Sequence, residues 1–189
     1  MVLRWFRDAF GGGKDYPALI EEAAGVAPGA EGLFMLPHLC GAFGPEPDSN
    51  AKGAFFGITL GHDRGHFVRS ILEAVGFMMR ENLEMLESLG VPVGEIRSIG
   101  GAARSDLWLQ IKADICGKDL LAMDCEETTG LGAAMISFVG NGTYASLEEA
   151  RENMVRERRR VTSSKGVADS YDPIYQNYRS LQQKARSLP

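Results

Sequence analysis

The chain has 189 residues, of which 44% are hydrophobic and 24% charged, and its formal net charge is −5. That length and composition allow one globular domain with a real core and part of a second, and they exclude a disordered chain. The acidic balance argues against a nucleic-acid surface, which needs clustered positive charge.

No apolar run approaches the roughly 18 residues that span a bilayer. The first ten residues carry Arg4, Arg7 and Asp8, so no uninterrupted apolar core of signal-peptide length is present. Cys40, Cys116 and Cys125 have no metal spacing and are odd in number. Their simplest reading is reduced thiols in a cytoplasmic protein.

In chain order, Met1 to Phe10 reads as a short amphipathic helix with Leu3, Phe6 and Phe10 on one side, stopped by Gly11-Gly12-Gly13. Tyr16 to Ala24 has helical spacing. Gly32 to Leu39 is a strand, and Gly41 to Lys52 a loop rich in proline and polar residues. Glycines at 53, 57 and 61 then lead into His62, Asp63, Arg64, Gly65 and His66. A long buried helix follows over Phe67–Leu89, with Asp63 as N-cap and Gly90 as terminator.

Glu95 to Ile99 reads as a strand. Ser105 caps a helix that ends at Cys116 and is stopped by Gly117; Leu120 to Met123 is a short buried strand. Leu131 to Val139 is a helix of small residues whose faces predict burial. Ser146-Leu147-Glu148-Glu149 is a capping box, predicting a helix to about Arg160 with Arg156 to Arg160 as its solvated end. Asp172-Pro173 opens a last helix to about Arg186. From Phe67 onward, helix and strand alternate, which argues for α/β layers.

The chemistry concentrates in Ile99-Gly100-Gly101-Ala102-Ala103-Arg104-Ser105. A strand runs into glycines, and a helix starts just beyond. Glycine lets backbone approach a flat or charged ligand, and a helix N-terminus offers free N–H groups. The segment is neither the Gly-x-Gly-x-x-Gly dinucleotide fingerprint nor a phosphate loop, because no Lys-Ser or Lys-Thr follows. A tight structural turn and a ligand-binding turn both remain open on these residues. His38, His62 and His66 have no metal-ligand spacing.

Gly53 to Glu73 closely resembles the second signature of the FGGY carbohydrate kinases. Gly53, Phe55, Gly57, Ile58, His66, Phe67, Ser70, Ile71, Leu72 and Glu73 are its matching positions. The chain resembles xylulokinase-like members in particular, and only their C-terminal segment. The resemblance implies an incomplete actin-like ATPase (ribonuclease H-like) domain over residues 1–189, in the α/β class. It makes Gly100, Gly101, Ala102 and Ser105 the adenosine motif, with backbone along adenine and ribose and Ser105 near the base; Ser105 as a plain N-cap is the alternative.

The run Glu126-Glu127-Thr128-Thr129-Gly130-Leu131-Gly132-Ala133-Ala134 resembles the family's second connecting helix at the interdomain hinge. A close-packed helix without motion is the alternative. In the loop where many relatives carry Glu-Arg-x-Pro, this chain departs with Ala42-Phe43-Gly44-Pro45.

The implied function is that of an ATP-dependent sugar or polyol kinase, with ATP and Mg2+ used in the intact enzyme and a sugar or polyol as substrate. The alternative is a non-catalytic actin-like nucleotide module with an assembly or regulatory role. Neither nucleic acid nor membrane is an expected partner, and a homodimer is an open assembly. Neither the family's Asp-x-Gly-Thr phosphate loop nor its catalytic Gly-Asp run occurs here. The expectation is therefore that the first domain and the phosphate loops are absent from the chain, with no catalytic or metal-binding residue in it.

Overall fold

Asp63 starts the longest helix. The computed structural model describes residues 1–125 and 127–186. In it α3 runs Arg64–Ser88, beginning three residues before the expected Phe67. The Asp63 side chain accepts from the His66 N–H, and the His66 ring reaches back to the Asp63 N–H. This capping box makes the polar entry itself helical. Gly65 is required by packing: a Cβ there would sit 2.6 Å from the Glu22 carbonyl oxygen on α2 (Tyr16–Ala24). Glu22 also takes the Arg64 guanidinium on its carboxylate (Nε–Oε2 2.7 Å). Arg64, with Lys14 behind it, holds the Glu22 carboxyl down to about 2.

α3 forms the spine of the main core. α1 (Val2–Phe10) and α2 lie at its start, and α4 (Asp106–Cys116) and α7 (Lys165–Arg186) along its middle. α7 brings the fully buried Tyr171, Tyr175 and Tyr178 onto Phe77, with ring centroids 6.2, 5.9 and 4.9 Å away. This tyrosine stripe explains a correction. The last helix does not open at Pro173; it starts at Lys165 and carries Pro173 inside it. An interior proline costs about 3 kcal/mol. Burying Tyr171 and bonding its hydroxyl to Arg69 (2.7 Å) and Glu73 (2.9 Å) offsets that cost.

The sheet is small. β3 (Ile96–Ser98) pairs in parallel with β4 (Leu120–Met123), and β4 pairs antiparallel with β5 (Glu157–Val161). A separate antiparallel pair, β1 (Phe34–Leu36) and β2 (Ala54–Phe56), flanks the start of α3. β5 corrects the sequence reading: α6 (Leu147–Met154) ends six residues before Arg160, and the arginine run is an edge strand. β4 is buried along its whole length, so its second edge needs a ladder partner. That demand overrides helix propensity. Val161 enters the core beside Leu109 and Leu120, while the arginines keep the outer edge solvated.

A third correction concerns α5 (Thr128–Gly140). It forms as expected, but none of its residues is buried. It packs against α6, and Ile136 is 65% exposed. Gly132 and Gly140 lie in open space, so nothing within the described residues asks for their small size. Glu126, which precedes this helix, lies outside the described residues. Among the described residues no helix is long and apolar enough to cross a membrane.

Candidate functional site

The carboxyl ends of β3 and β4 lie side by side, and the Gly100 N–H reaches the Cys125 carbonyl (3.4 Å) across them. In sheets of this kind, ligands bind outside the carboxyl ends of parallel strands. β3 leaves this edge through Gly100, whose φ of 73° belongs to glycine. Residues Gly101–Arg104 then make a single 3-10 turn. The Ala103 N–H bonds the Gly100 carbonyl (3.0 Å), and the Ala103 methyl is buried with Leu109, Ala113, Leu120, Ala122 and Val161. The core thus grips the turn by Ala103 and leaves Gly101 exposed.

Ser105 is the N-cap of α4, its hydroxyl accepting from the Trp108 N–H (3.2 Å). Gly100, Gly101, Ala102 and Ser105 thus follow one another between the carboxyl end of β3 and the start of α4. α5 starts just after β4, at the same end of the sheet. Its N-cap, Glu127, makes no side-chain cap bond among the described residues.

Gly101 is the most telling of these residues. Its φ is not in the left-handed region, and a Cβ on it would meet no heavy atom within 4 Å. Neither backbone conformation nor packing among the described residues demands a glycine there. Gly57 is the contrast: with φ of 84° and a Cβ position 2.3 Å from the Gly32 carbonyl oxygen, it is fixed by the fold.

Beneath the turn lies Lys112, only 6% exposed, whose Nζ donates to the Ser98 hydroxyl (3.0 Å). Burial pushes its ammonium down to about 8. One turn further along α4, burial pushes the Cys116 thiol up to about 12, which makes it inert.

Other candidates resolve differently. His66 serves the cap of α3, and the His62 Nδ1 accepts from the Thr59 N–H (3.1 Å). Among the described residues no three His, Cys, Asp or Glu side chains converge to hold a metal ion. No step is assigned to Mg2+. A cavity of about 710 Å³ lies away from the turn, lined by His38, Cys40, Asp48, Lys52, Gln182 and Arg186 among others.

Residues 3–140 match the FGGY family of carbohydrate kinases, C-terminal domain. The chain belongs to that family. It is 33% identical to the xylulose kinase of Bacillus subtilis (strain 168) over 193 residues, covering 98% of this chain and 39% of the relative. It is 34% identical to the glycerol kinase of Burkholderia cenocepacia (strain HI2424) over 159 residues, or 84% and 32% of the two chains. Among solved structures, the xylulose kinase from Rhodospirillum rubrum superposes with a TM-score of 0.85 at 28% identity, over 98% of this chain and 38% of that one. The fold is that of the C-terminal domain of these kinases, in the actin-like ATPase class. The chain spans about two fifths of the xylulose kinase it matches.

Proposed function

We propose that this chain is the adenosine-binding C-terminal domain of an ATP-dependent sugar or polyol kinase, and that residues 1–189 act together with a first domain supplied by a longer protein. The observation that carries the nucleotide role is the vacant space around Gly101. At the carboxyl end of a parallel strand pair, a glycine that its own fold does not require leaves room for a ligand to pass close to its backbone. Gly100, Gly101 and Ala102 would line the adenosine, and Ser105 would lie beside the base. ATP would supply the transferable phosphoryl group, and this chain's residues hold and orient the nucleoside end.

The unburied α5 supports the domain reading. Gly130, Ala133, Ser137 and Gly140 make a smooth face beside the exposed Ile136, suited to close approach by another body. A glycine in a helix interior costs about 1 kcal/mol relative to alanine. Gly132, inside the helix and in open space, is accounted for by a first domain that closes on this helix. The relatives' names make xylulose, then glycerol, the first substrates to assay. Cys40, Cys116 and Cys125 are all free thiols, which supports a cytoplasmic location.

Gly101→Val tests the site in the full-length kinase. A valine Cβ meets nothing within the described residues, so thermal unfolding should stay within a few degrees of wild type. The KM for ATP should rise at least about tenfold, equal to ~1.4 kcal/mol of lost binding, with the KM for sugar nearly unchanged. Normal ATP affinity in a well-folded variant would remove the nucleotide role. A second outcome is expected of the 189-residue chain by itself: no measurable ADP release over a panel of ketoses and polyols. Turnover near the roughly 10 s⁻¹ typical of enzymes would place the catalytic groups within it and overturn the two-domain reading.

A further inference from the structure

Three arginines follow one another on β5, and they are not equivalent. Arg159 pairs with Asp106 at the start of α4 (2.6 Å). Arg160 pairs with Glu95 (3.5 Å) and Asp119 (3.8 Å). Arg158 pairs with no carboxylate among the described residues; its guanidinium donates to the carbonyl oxygen of Ala103.

The backbone explains this difference. In the β4–β5 ladder Ala122 faces Arg159 and Met123 faces Glu157, so Arg158 is the extra residue of a β-bulge. Ladder bonding resumes beyond it, where the Asp124 N–H meets the Arg156 carbonyl (2.9 Å). A bulge bends its strand and re-aims the side chain of the extra residue. Here it lies at the carboxyl end of β4, and the re-aimed side chain reaches the turn that follows β3.

Ala103 itself is 2% exposed, and it sits near the end of the 3-10 turn, where carbonyls lack a partner within the helix. A carbonyl left unpaired in such a place carries a full desolvation penalty. Arg158 supplies the missing donor with a charged group, the stronger kind of hydrogen bond. The turn is then fixed at three points: the Gly100 N–H on Cys125, the Ala103 methyl in the core, and the Ala103 carbonyl on Arg158.

We infer that Arg158 is a positioning residue for nucleotide binding: the bulge on β5 exists to lock the Gly101–Arg104 turn in the shape that receives the adenosine. This rests on the nucleotide role proposed above. Arg158 touches the turn and not the ligand, so its removal loosens the receiving surface without removing a ligand contact.

The test compares wild type, Arg158→Ala, Arg158→Lys and Gly101→Val. Amide hydrogen exchange on the 189-residue chain reads the lock directly. In Arg158→Ala, the amides of residues 102–104 should exchange at least about tenfold faster, as expected for loss of one charged hydrogen bond. Those of Leu109–Ile115 should be unchanged. In the full-length kinase the same variant should raise the KM for ATP about tenfold, with kcat and the KM for sugar within about twofold. Arg158→Lys should restore part of the ATP affinity by supplying a donor at the same place. Unchanged exchange at residues 102–104 overturns the inference. So does faster exchange with unchanged ATP affinity, or a parallel loss of ATP and sugar affinity with lowered thermal stability. If Gly101→Val weakens ATP binding and Arg158→Ala does not, only the present inference fails. If Gly101→Val also binds ATP normally, the nucleotide role of the turn fails with it.

Discussion

Glu73→Ala should lower the free energy of unfolding by about 3–5 kcal/mol, the cost of stranding one partner of a buried ion pair. Glu73 is 2% exposed and Arg69, one helical turn before it, 6%. The Arg69 Nε donates to Glu73 Oε1 (2.8 Å), which also accepts from the Tyr171 hydroxyl (2.9 Å) and the Gly29 N–H (2.9 Å). One carboxylate oxygen thus joins α3, α7 and the segment that leads into β1. That segment is conformationally demanding: Gly29, Ala30, Glu31 and Gly32 all have positive φ, from 45° to 88°. Two of them are not glycine, so the left-handed turn persists because its surroundings hold it. Removing the carboxylate leaves a buried guanidinium, a phenol and a backbone N–H without their acceptor.

Denaturant unfolding of the 189-residue chain measures the effect. Glu73→Gln keeps an acceptor and should lose less. The double variant Arg69→Met/Glu73→Leu removes both charges and should recover much of the loss, because buried pairs replaced by apolar residues are often near neutral. A midpoint shift worth less than about 1 kcal/mol for Glu73→Ala would show that water or another cation reaches Arg69 when the carboxylate is gone.

Elements defined by local chemistry were legible in the sequence. Tyr16–Ala24 has the ends predicted for it, set by Asp15 and Gly25. α4 runs from its Ser105 cap to Gly117, whose φ of 60° is the left-handed stop that glycine supplies. Elements decided by distant partners were not. Nothing within Glu157-Arg158-Arg159-Arg160 itself distinguishes it from a helix end; the open edge of β4 makes it a strand, and Val161 is its one buried residue. Pro173 reads as a helix start because the gain from Tyr171, two residues earlier, lies in contacts with Arg69 and Glu73 about a hundred residues away in sequence. The apolar composition of α5 predicts burial, yet composition says only that a partner is needed, not that it lies in the same stretch of chain.

The candidate site divides in the same way. Gly100, Gly101, Ala102 and Ser105 stand out because strand, glycines and cap follow one another in sequence. Arg158 could not be found that way, since its role depends on a bulge and on a strand 55 residues beyond the carbonyl it holds. Val155 and Val161, β-branched residues flanking the charged run, were the available hint that it was a strand.

Lys112→Met should stabilise the protein near neutral pH and lose that advantage in alkali. The Lys112 side chain reaches under β3 to Ser98 (3.0 Å), and its Nζ lies 5.7 Å from the Trp108 ring centroid, with no carboxylate bonded to it among the described residues. Burial pushes the ammonium down to about 8, whereas an unfolded lysine titrates near 10.4. Near pH 7 the lysine is protonated in both states, and folding bears the cost of burying its charge. At 1.36 kcal/mol per pKa unit that cost is about 3 kcal/mol. As pH rises through 8 the folded state releases its proton first, so the unfolded state holds more protons and stability increases with pH. The cost is gone above about pH 10.4, where both states are neutral. Methionine keeps the volume and never bears that cost. It leaves the Ser98 hydroxyl without its donor, a loss of about 1 kcal/mol. The expected gain near pH 7 is therefore about 2 kcal/mol, falling to zero or slightly below near pH 10.5. Chemical unfolding of wild type and variant at the two pH values gives the difference and cancels the other titrating groups. A variant less stable than wild type near pH 7 would mean that the ammonium contributes more through Ser98 and Trp108 than its burial costs. Lys112 would then be a support for the β3 end of the Gly100–Arg104 turn and not a strained group beneath it.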